Sequence, residues 1–414
     1  MIAAVMRHGK VGGVTGKRDN LARPNPPSPN PSQRSDVSPF IVMDVMSAAA
    51  RIEQAGGDVV HMEVGQPAAS APRTALAAAE AALHAGRVGY TEALGIPSLR
   101  RRIARHYGET YGVSVPEERI CVTTGSSGAF LLAFLAMFEA GDRVAIATPG
   151  YPAYYNILQA LGIEVVEIET SAATRWTLSG EMVAAAHAEK PLNGVLAMSP
   201  GNPTGVVMAP EAIAALAATC ERLGLWLISD EIYHGLTYDH PAETALRFSD
   251  DAVIVNSFSK YFCMTGWRVG WLVLPERLVR PVERLTQNFN ISVPYLSQVA
   301  AEAAFEGRAE MEGVRAGYQR NRDLLVRELP RIGLGNHLPI DGAFYAFIDI
   351  GHLTNDSARF CRRMLEEAGV AATPGLDFDR ARGHRYFRLS FAGSEAEIAE
   401  AVHRLGQWLP RAGQ

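Results

Sequence analysis

The sequence predicts an α/β fold: a three-layer α/β/α large domain with a mostly parallel seven-stranded sheet, plus a smaller α+β domain. Two patterns predict it. Between Ile120 and Leu274, seven short apolar runs alternate with helical stretches, the pattern of a parallel sheet covered on both faces. After Pro275 the chain turns helical, and from about Gly333 strands and helices mix.

Length and composition agree with this. The 414 residues, 48% hydrophobic and 20% charged, suffice for two domains with large cores. A formal net charge of -5 gives no global basic field, so neither a nucleic acid nor an anionic membrane is expected as a partner. No uninterrupted apolar run reaches about 18 residues, so no membrane span is expected. Cys121, Cys220, Cys263 and Cys361 are far apart and lack CxxC spacing. They read as core thiols in a reducing cytoplasm, and no metal site is expected.

Taken in order, residues 1–38 are rich in Pro, Asn, Ser and Gly, and Pro24, Pro26, Pro27, Pro29 and Pro31 forbid regular structure. A disordered tail is expected, with organelle targeting as the minor alternative. Residues 42–54 have helical spacing and end at Gly56-Gly57. Residues 59–64 read as a strand entering Gly65-Gln66-Pro67, a turn where backbone can approach a ligand closely. Helices are expected at 72–85 and 98–111, with a loop at 89–97 between them.

The seven strands are expected at 120–124, 143–148, 164–168, 194–198, 225–229, 252–255 and 269–274, each a short apolar run. Helices fall between them at 129–138, 154–161, 180–189 and 210–223. Residues 277–305 and 310–329 read as helical. The last part pairs strands at 343–349 and 386–391 with helices at 357–368 and 394–409.

The chemistry-bearing residues cluster at strand ends. Asn256-Ser257-Phe258-Ser259-Lys260 closes the run 252–255, which puts a lysine where open α/β sheets bind ligands. Such a lysine is either a surface charge or a buried amine held for imine chemistry. Gly125-Ser126-Ser127-Gly128 lies between a strand and a helix; it is a phosphate cradle or a plain serine-capped turn. Tyr151, in Pro149-Gly150-Tyr151-Pro152, either stacks on a planar ligand or packs over its loop. Ser199-Pro200-Gly201-Asn202-Pro203-Thr204-Gly205 is a proline-locked turn that fixes the Asn202 amide. Asp230, in Asp230-Glu231-Ile232-Tyr233, ends a buried strand and calls for a cation, with an arginine salt bridge as the alternative. Tyr233 projects a phenol towards the same region.

Asn202-Pro203-Thr204-Gly205, Asp230-Glu231-Ile232-Tyr233 and Ser257-Phe258-Ser259-Lys260 through Arg268 stand in this order and spacing. Together they resemble the class I/II aminotransferases, fold-type I enzymes of the aspartate aminotransferase superfamily that use pyridoxal 5′-phosphate. The likeness runs from about Pro39 to the C-terminus. It implies that Lys260 links the cofactor aldehyde and carries the substrate Cα proton. Asp230 would sit against the pyridine nitrogen, Tyr233 and Asn202 would bond the ring O3′, and Tyr151 would stack on the ring. Gly125, Ser126, Ser127, Ser257, Ser259 and Arg268 would hold the phosphate. Tyr90 would reach the phosphate of a neighbouring subunit, which implies a homodimer with shared sites; a core tyrosine is the alternative.

By the same resemblance, Arg388 would grip the substrate α-carboxylate, with the Gly65 backbone and Asn202 beside it; an outward-facing strand charge is the alternative. Asp341-Gly342-Ala343-Phe344-Tyr345 and Thr373-Pro374-Gly375 read as structural or pocket-lining. The division implied is a 1–38 tail, a 39–75 N-terminal segment packing with the small domain, a 76–308 cofactor-binding domain and a 309–414 small domain.

The activity implied is a ping-pong transfer of an amino group from an L-amino acid to 2-oxoglutarate or pyruvate. The stretch Asn288-Phe289-Asn290-Ile291-Ser292-Val293-Pro294 contains no arginine for a substrate side-chain carboxylate, which weakens aspartate against alanine or an apolar or aromatic donor. The cofactor residues do not decide which Cα bond breaks, so a carbon–sulfur β-lyase or decarboxylase stays open. A non-catalytic regulatory protein fits poorly with Lys260, Asp230 and Arg388 together.

Overall fold

The computed structural model describes residues 30–86 and 88–412. The expected tail therefore lies outside the described residues up to residue 29; residues 30–39 are exposed and hold one 3-10 turn, Gln33–Ser35. Helix α1 (Ile41–Gln54) and strand β1 (Val60–His61) come first, then α2 (Arg73–His84) and α3 (Pro97–Tyr111). The alternating part runs β2 (Ile120–Thr123), α4 (Gly125–Met137), β3 (Arg143–Thr148), α5 (Pro152–Ala160), β4 (Glu164–Glu169), α6 (Gly180–Glu189), β5 (Gly194–Met198), α7 (Pro210–Leu223), β6 (Trp226–Asp230), β7 (Val253–Ser257) and β8 (Gly270–Val273). Helices α8 (Glu276–Phe289), α9 (Tyr295–Ala304) and α10 (Arg308–Glu328) follow. The chain ends with β9 (Tyr345–Asp349), α11 (Ser357–Ala368), β10 (Val370–Ala371), β11 (Thr373–Pro374), β12 (Tyr386–Ser390) and α12 (Glu395–Ala412).

The large sheet has the order β2-β8-β7-β6-β5-β3-β4. Only β8 runs against its neighbours; the remaining pairs are parallel. Successive residues of β2 serve opposite cores: Ile120 and Val122 face one apolar cluster, Cys121 the other. This period-2 sharing of two buried faces is why the strands read as unbroken apolar runs. Each fully buried Val, Ile or Leu contributes about 1.5–3 kcal/mol. All four cysteines are buried and free.

Because β8 is reversed, β2, β3, β5, β6 and β7 all end at one edge of the sheet and β8 begins there. That topology gathers Gly125, Tyr151, Asn202, Asp230, Lys260 and Arg268 from stretches far apart in sequence. A third apolar cluster joins Val60 and Met62 to Tyr345, Ile348, Phe387 and Leu389, so the N-terminal chain packs with the C-terminal elements. There β12 lies between β11 and β9 in an antiparallel sheet, and β1 pairs with β10.

Three expectations are corrected. The strand expected at 59–64 contracts to Val60–His61, since β10 offers only two partner residues. Gly125-Ser126-Ser127-Gly128 is the first turn of α4 and not a loop ahead of it. Gly125 makes this possible at φ +70°, and a Cβ there would lie 2.6 Å from the Arg268 guanidinium. The long helical stretch 277–305 breaks at residues 290–294, where Ile291 adopts φ 62°. Among the described residues no helix is long and apolar enough to cross a membrane.

Candidate active site

A cleft of about 790 Å³ opens at the shared strand edge, the size expected for a small-molecule site. Its floor carries Ser126, Ser127, Tyr151, Asn202, Asp230, Tyr233, Ser259, Lys260 and Arg268; the facing walls carry Gly65, Tyr345, Asp377, Phe378 and Arg388, with Phe40, Val42 and Met43 around the start of α1.

Lys260 Nζ donates to the Gly65 carbonyl at 2.6 Å. Burial drives its pKa down to about 8, with the Arg388 and Arg268 charges adding to the shift and Asp230 opposing it. The surface-charge reading of this lysine does not hold. Asp230 is 1% exposed and accepts hydrogen bonds from the Tyr154 hydroxyl and from Ile232 N at 3.0 Å. Burial raises its pKa to about 6, while those bonds and the Lys260 charge pull the other way. No arginine pairs with it among the described residues, so the salt-bridge alternative fails. The next residue, Glu231, turns away and accepts from Ser229, Thr244 and the Ala245 amide.

Tyr233 and Tyr345 share a hydrogen bond at 2.6 Å. Tyr151 lines the cleft and also packs edge-on against Tyr154 at 5.3 Å. Arg388 is 4% exposed, which overturns the outward-facing alternative. Its guanidinium donates to Asn202 Oδ1 at 2.8 Å and to the Glu63 carbonyl at 2.6 Å. It also lies over the Tyr345 and Phe378 rings at 4.3 and 4.6 Å. Its Nε–H is buried without a partner.

At the other end of the cleft, Ser126, Ser127, Ser259 and Arg268 converge on the N-terminus of α4. Ser257 does not line the cleft; its hydroxyl lies 2.9 Å from Ser259 Oγ and 3.1 Å from the Val269 carbonyl, behind Ser259. Gly125 likewise sits behind, pressed against Arg268. Tyr90 is 83% exposed and outside the cleft, so it is no core tyrosine.

These groups fit pyridoxal 5′-phosphate. A helix N-terminus with two serines and an arginine suits a phosphate dianion. A buried carboxylate without a cationic partner suits a pyridinium, and an amine with a depressed pKa suits an aldehyde. Tyr154, Asp377 and Phe378 are site residues that sequence reasoning did not assign, while Tyr345 lines the cleft from a stretch read as structural or pocket-lining. Tyr154 could have been found from its position three residues after Tyr151, one turn along the same helix face.

The family model for aminotransferase class I and II matches residues 57–405. The chain is 52% identical over 381 residues to a valine–pyruvate aminotransferase of Mycobacterium tuberculosis, covering 91% of this chain and 98% of that one. It is 33% identical to an aspartate/prephenate aminotransferase of Thermus thermophilus, covering 91% and 97%. A crystal structure of an aminotransferase from Mycobacterium tuberculosis superposes with a TM-score of 0.90 at 51% identity, covering 93% of this chain and all of that one. Thermus thermophilus aspartate aminotransferase with maleate gives 0.87 at 32% identity, covering 92% and 100%. The chain therefore belongs to the class I and II aminotransferases, pyridoxal 5′-phosphate-dependent enzymes that move an amino group from an amino acid to a 2-oxo acid.

Proposed function

We propose that the enzyme takes its amino group from a small apolar L-amino acid such as valine or alanine and exchanges it with pyruvate, working as a cytoplasmic homodimer with shared sites. The observation that carries the substrate side is Arg388. It is a buried guanidinium with an unpartnered Nε–H and no carboxylate partner among the described residues, so it lacks an anion that a substrate α-carboxylate supplies. The apolar preference is supported by Phe40, Val42 and Met43 along the cleft wall, where the lining cations among the described residues are Lys260, Arg268 and Arg388. The relative named for valine and pyruvate points the same way.

In this reading the cofactor, when bound, supplies an electron sink for the pair released at Cα. Asp230 would hold a proton at the ring nitrogen. Tyr233 and Asn202 would bond the ring oxygen, and Tyr151 would cover the ring. Ser126, Ser127, Ser259 and Arg268 would hold the phosphate, with Gly125 and Ser257 shaping its seat. Lys260, the amine in the cleft, would hold and move the proton at the substrate Cα. Residues 76–308 form the cofactor-binding domain, and 39–75 with 309–414 form the small one. Tyr90 is presented outwards for a neighbouring subunit's phosphate, and four buried free thiols suit a reducing compartment.

Arg388→Ala tests the anchor: KM for every amino acid is expected to rise roughly 30-fold or more while bound cofactor is retained, and an unchanged KM overturns it. A single-turnover screen of amino acids, with product analysis, tests the donor. A 2-oxo acid formed in stoichiometric amount from valine or alanine supports the reading; faster turnover of aspartate or glutamate defeats it.

A further inference from the structure

We propose that Asp377 is a specificity-determining residue, whose carboxylate makes the far wall of the cleft hostile to substrates carrying a second carboxylate. This rests on the reading of Arg388 as the α-carboxylate anchor. Asp377 lies in the turn Gly375–Asp377 that follows β11 and lines the cleft between Phe378 and the start of α1. It is tied to the anchor through the adjacent residue, since the Arg388 guanidinium lies 4.6 Å over the Phe378 ring. A substrate held by Arg388 therefore has Asp377 as a near neighbour.

The carboxylate is fixed in place. Oδ1 accepts from the Ile41 amide at 3.0 Å at the first turn of α1, and no hydrogen bond of normal geometry reaches the buried Oδ2. Burial, with the Asp44 charge, raises the Asp377 pKa above the ordinary carboxylate value, and the Ile41 and Val42 amides and the Arg388 charge limit that rise. No lysine, arginine or histidine forms an ion pair with Asp377 among the described residues. Phe40, Val42 and Met43 complete this wall. A substrate side-chain carboxylate arriving here meets the Asp377 carboxylate in an apolar setting, with no cation ion-paired to Asp377 among the described residues. Excluding the wrong substrate in this way separates substrates that share the α-carboxylate anchor. By capping α1, the same side chain also holds the apolar wall over the cleft.

The test uses the holoenzyme and compares kcat/KM for L-valine and L-alanine with pyruvate against L-aspartate and L-glutamate with 2-oxoglutarate. Asp377→Asn keeps an acceptor for the Ile41 amide and removes the charge, so the dicarboxylate-to-apolar ratio is expected to rise roughly tenfold or more. A purely structural role would lower both classes together and leave the ratio unchanged, and that result overturns the proposal. If Asp377→Asn does not fold, Asp377→Ser gives the same ratio with a shorter acceptor. A wild type that prefers dicarboxylates defeats the substrate reading and this proposal together. A wild type that prefers apolar donors, with an unchanged ratio in the variant, defeats this proposal alone.

Discussion

Lys260 reaches across the cleft to the Gly65 carbonyl at 2.6 Å, so its amine joins the sheet edge to the N-terminal chain. Gly65 can occupy that place only without a side chain. A Cβ would lie 1.8 Å from the Tyr345 hydroxyl, and Tyr345 is buried and bonded to Tyr233. A rigid, buried phenol cannot swing clear. Gly65→Ala is therefore expected to displace Tyr345 and the Lys260 contact, lowering kcat/KM roughly 100-fold and stability by about 1–3 kcal/mol. Steady-state kinetics and denaturant unfolding measure the two effects separately.

The depressed pKa of Lys260 has its own signature. Only the neutral amine attacks an aldehyde, so attachment of cofactor to the apoprotein should accelerate about tenfold per pH unit below the pKa and level off above it. With the amine at about 8, the plateau begins there and not near 10.5. The rate of absorbance change on reconstitution checks this, and a rate still climbing at pH 10 would contradict the burial argument.

Asp230 separates stability from activity. Its pKa lies at about 6 against 3.8 when exposed. The folded apoprotein therefore binds a proton more tightly than the unfolded chain. Its stability advantage is full below about pH 4 and is lost as pH rises through about 6, at a cost of about 3 kcal/mol by neutrality. Asp230→Asn removes the charge that must be buried. The variant apoprotein is expected to melt several degrees above wild type at pH 7 and equal to it near pH 3.5, while the holoenzyme loses about 100-fold or more in kcat. Calorimetry across pH with parallel assays reads both.

Much of this was legible because the large sheet buries both faces. Its strands read as bare apolar runs, and the acid, the amine and the asparagine follow those runs directly. The small sheet hid its logic: every residue of β12 is buried, so no alternation showed which way Arg388 faced. The Tyr154–Asp230 bond was out of reach because it joins residues 76 apart through strand order and not through any local pattern. Gly125 misled for a local reason. A glycine before a helix suggests a loop, yet this one begins the helix because Arg268 fills the space of its missing side chain.

Tyr90 offers the sharpest test of shared sites, because its ring is 83% exposed in its own chain. If each site draws Lys260 from one subunit and Tyr90 from the other, Lys260→Ala and Tyr90→Ala homodimers are each impaired at every site. In a mixed dimer one site carries both changes and the other carries neither. Random exchange makes half the dimers mixed, so activity should recover to about a quarter of wild type. The measurement is activity against time after mixing, with exchange followed independently by differently tagged subunits. Complete exchange without recovery would place the Tyr90 ring outside the partner's site.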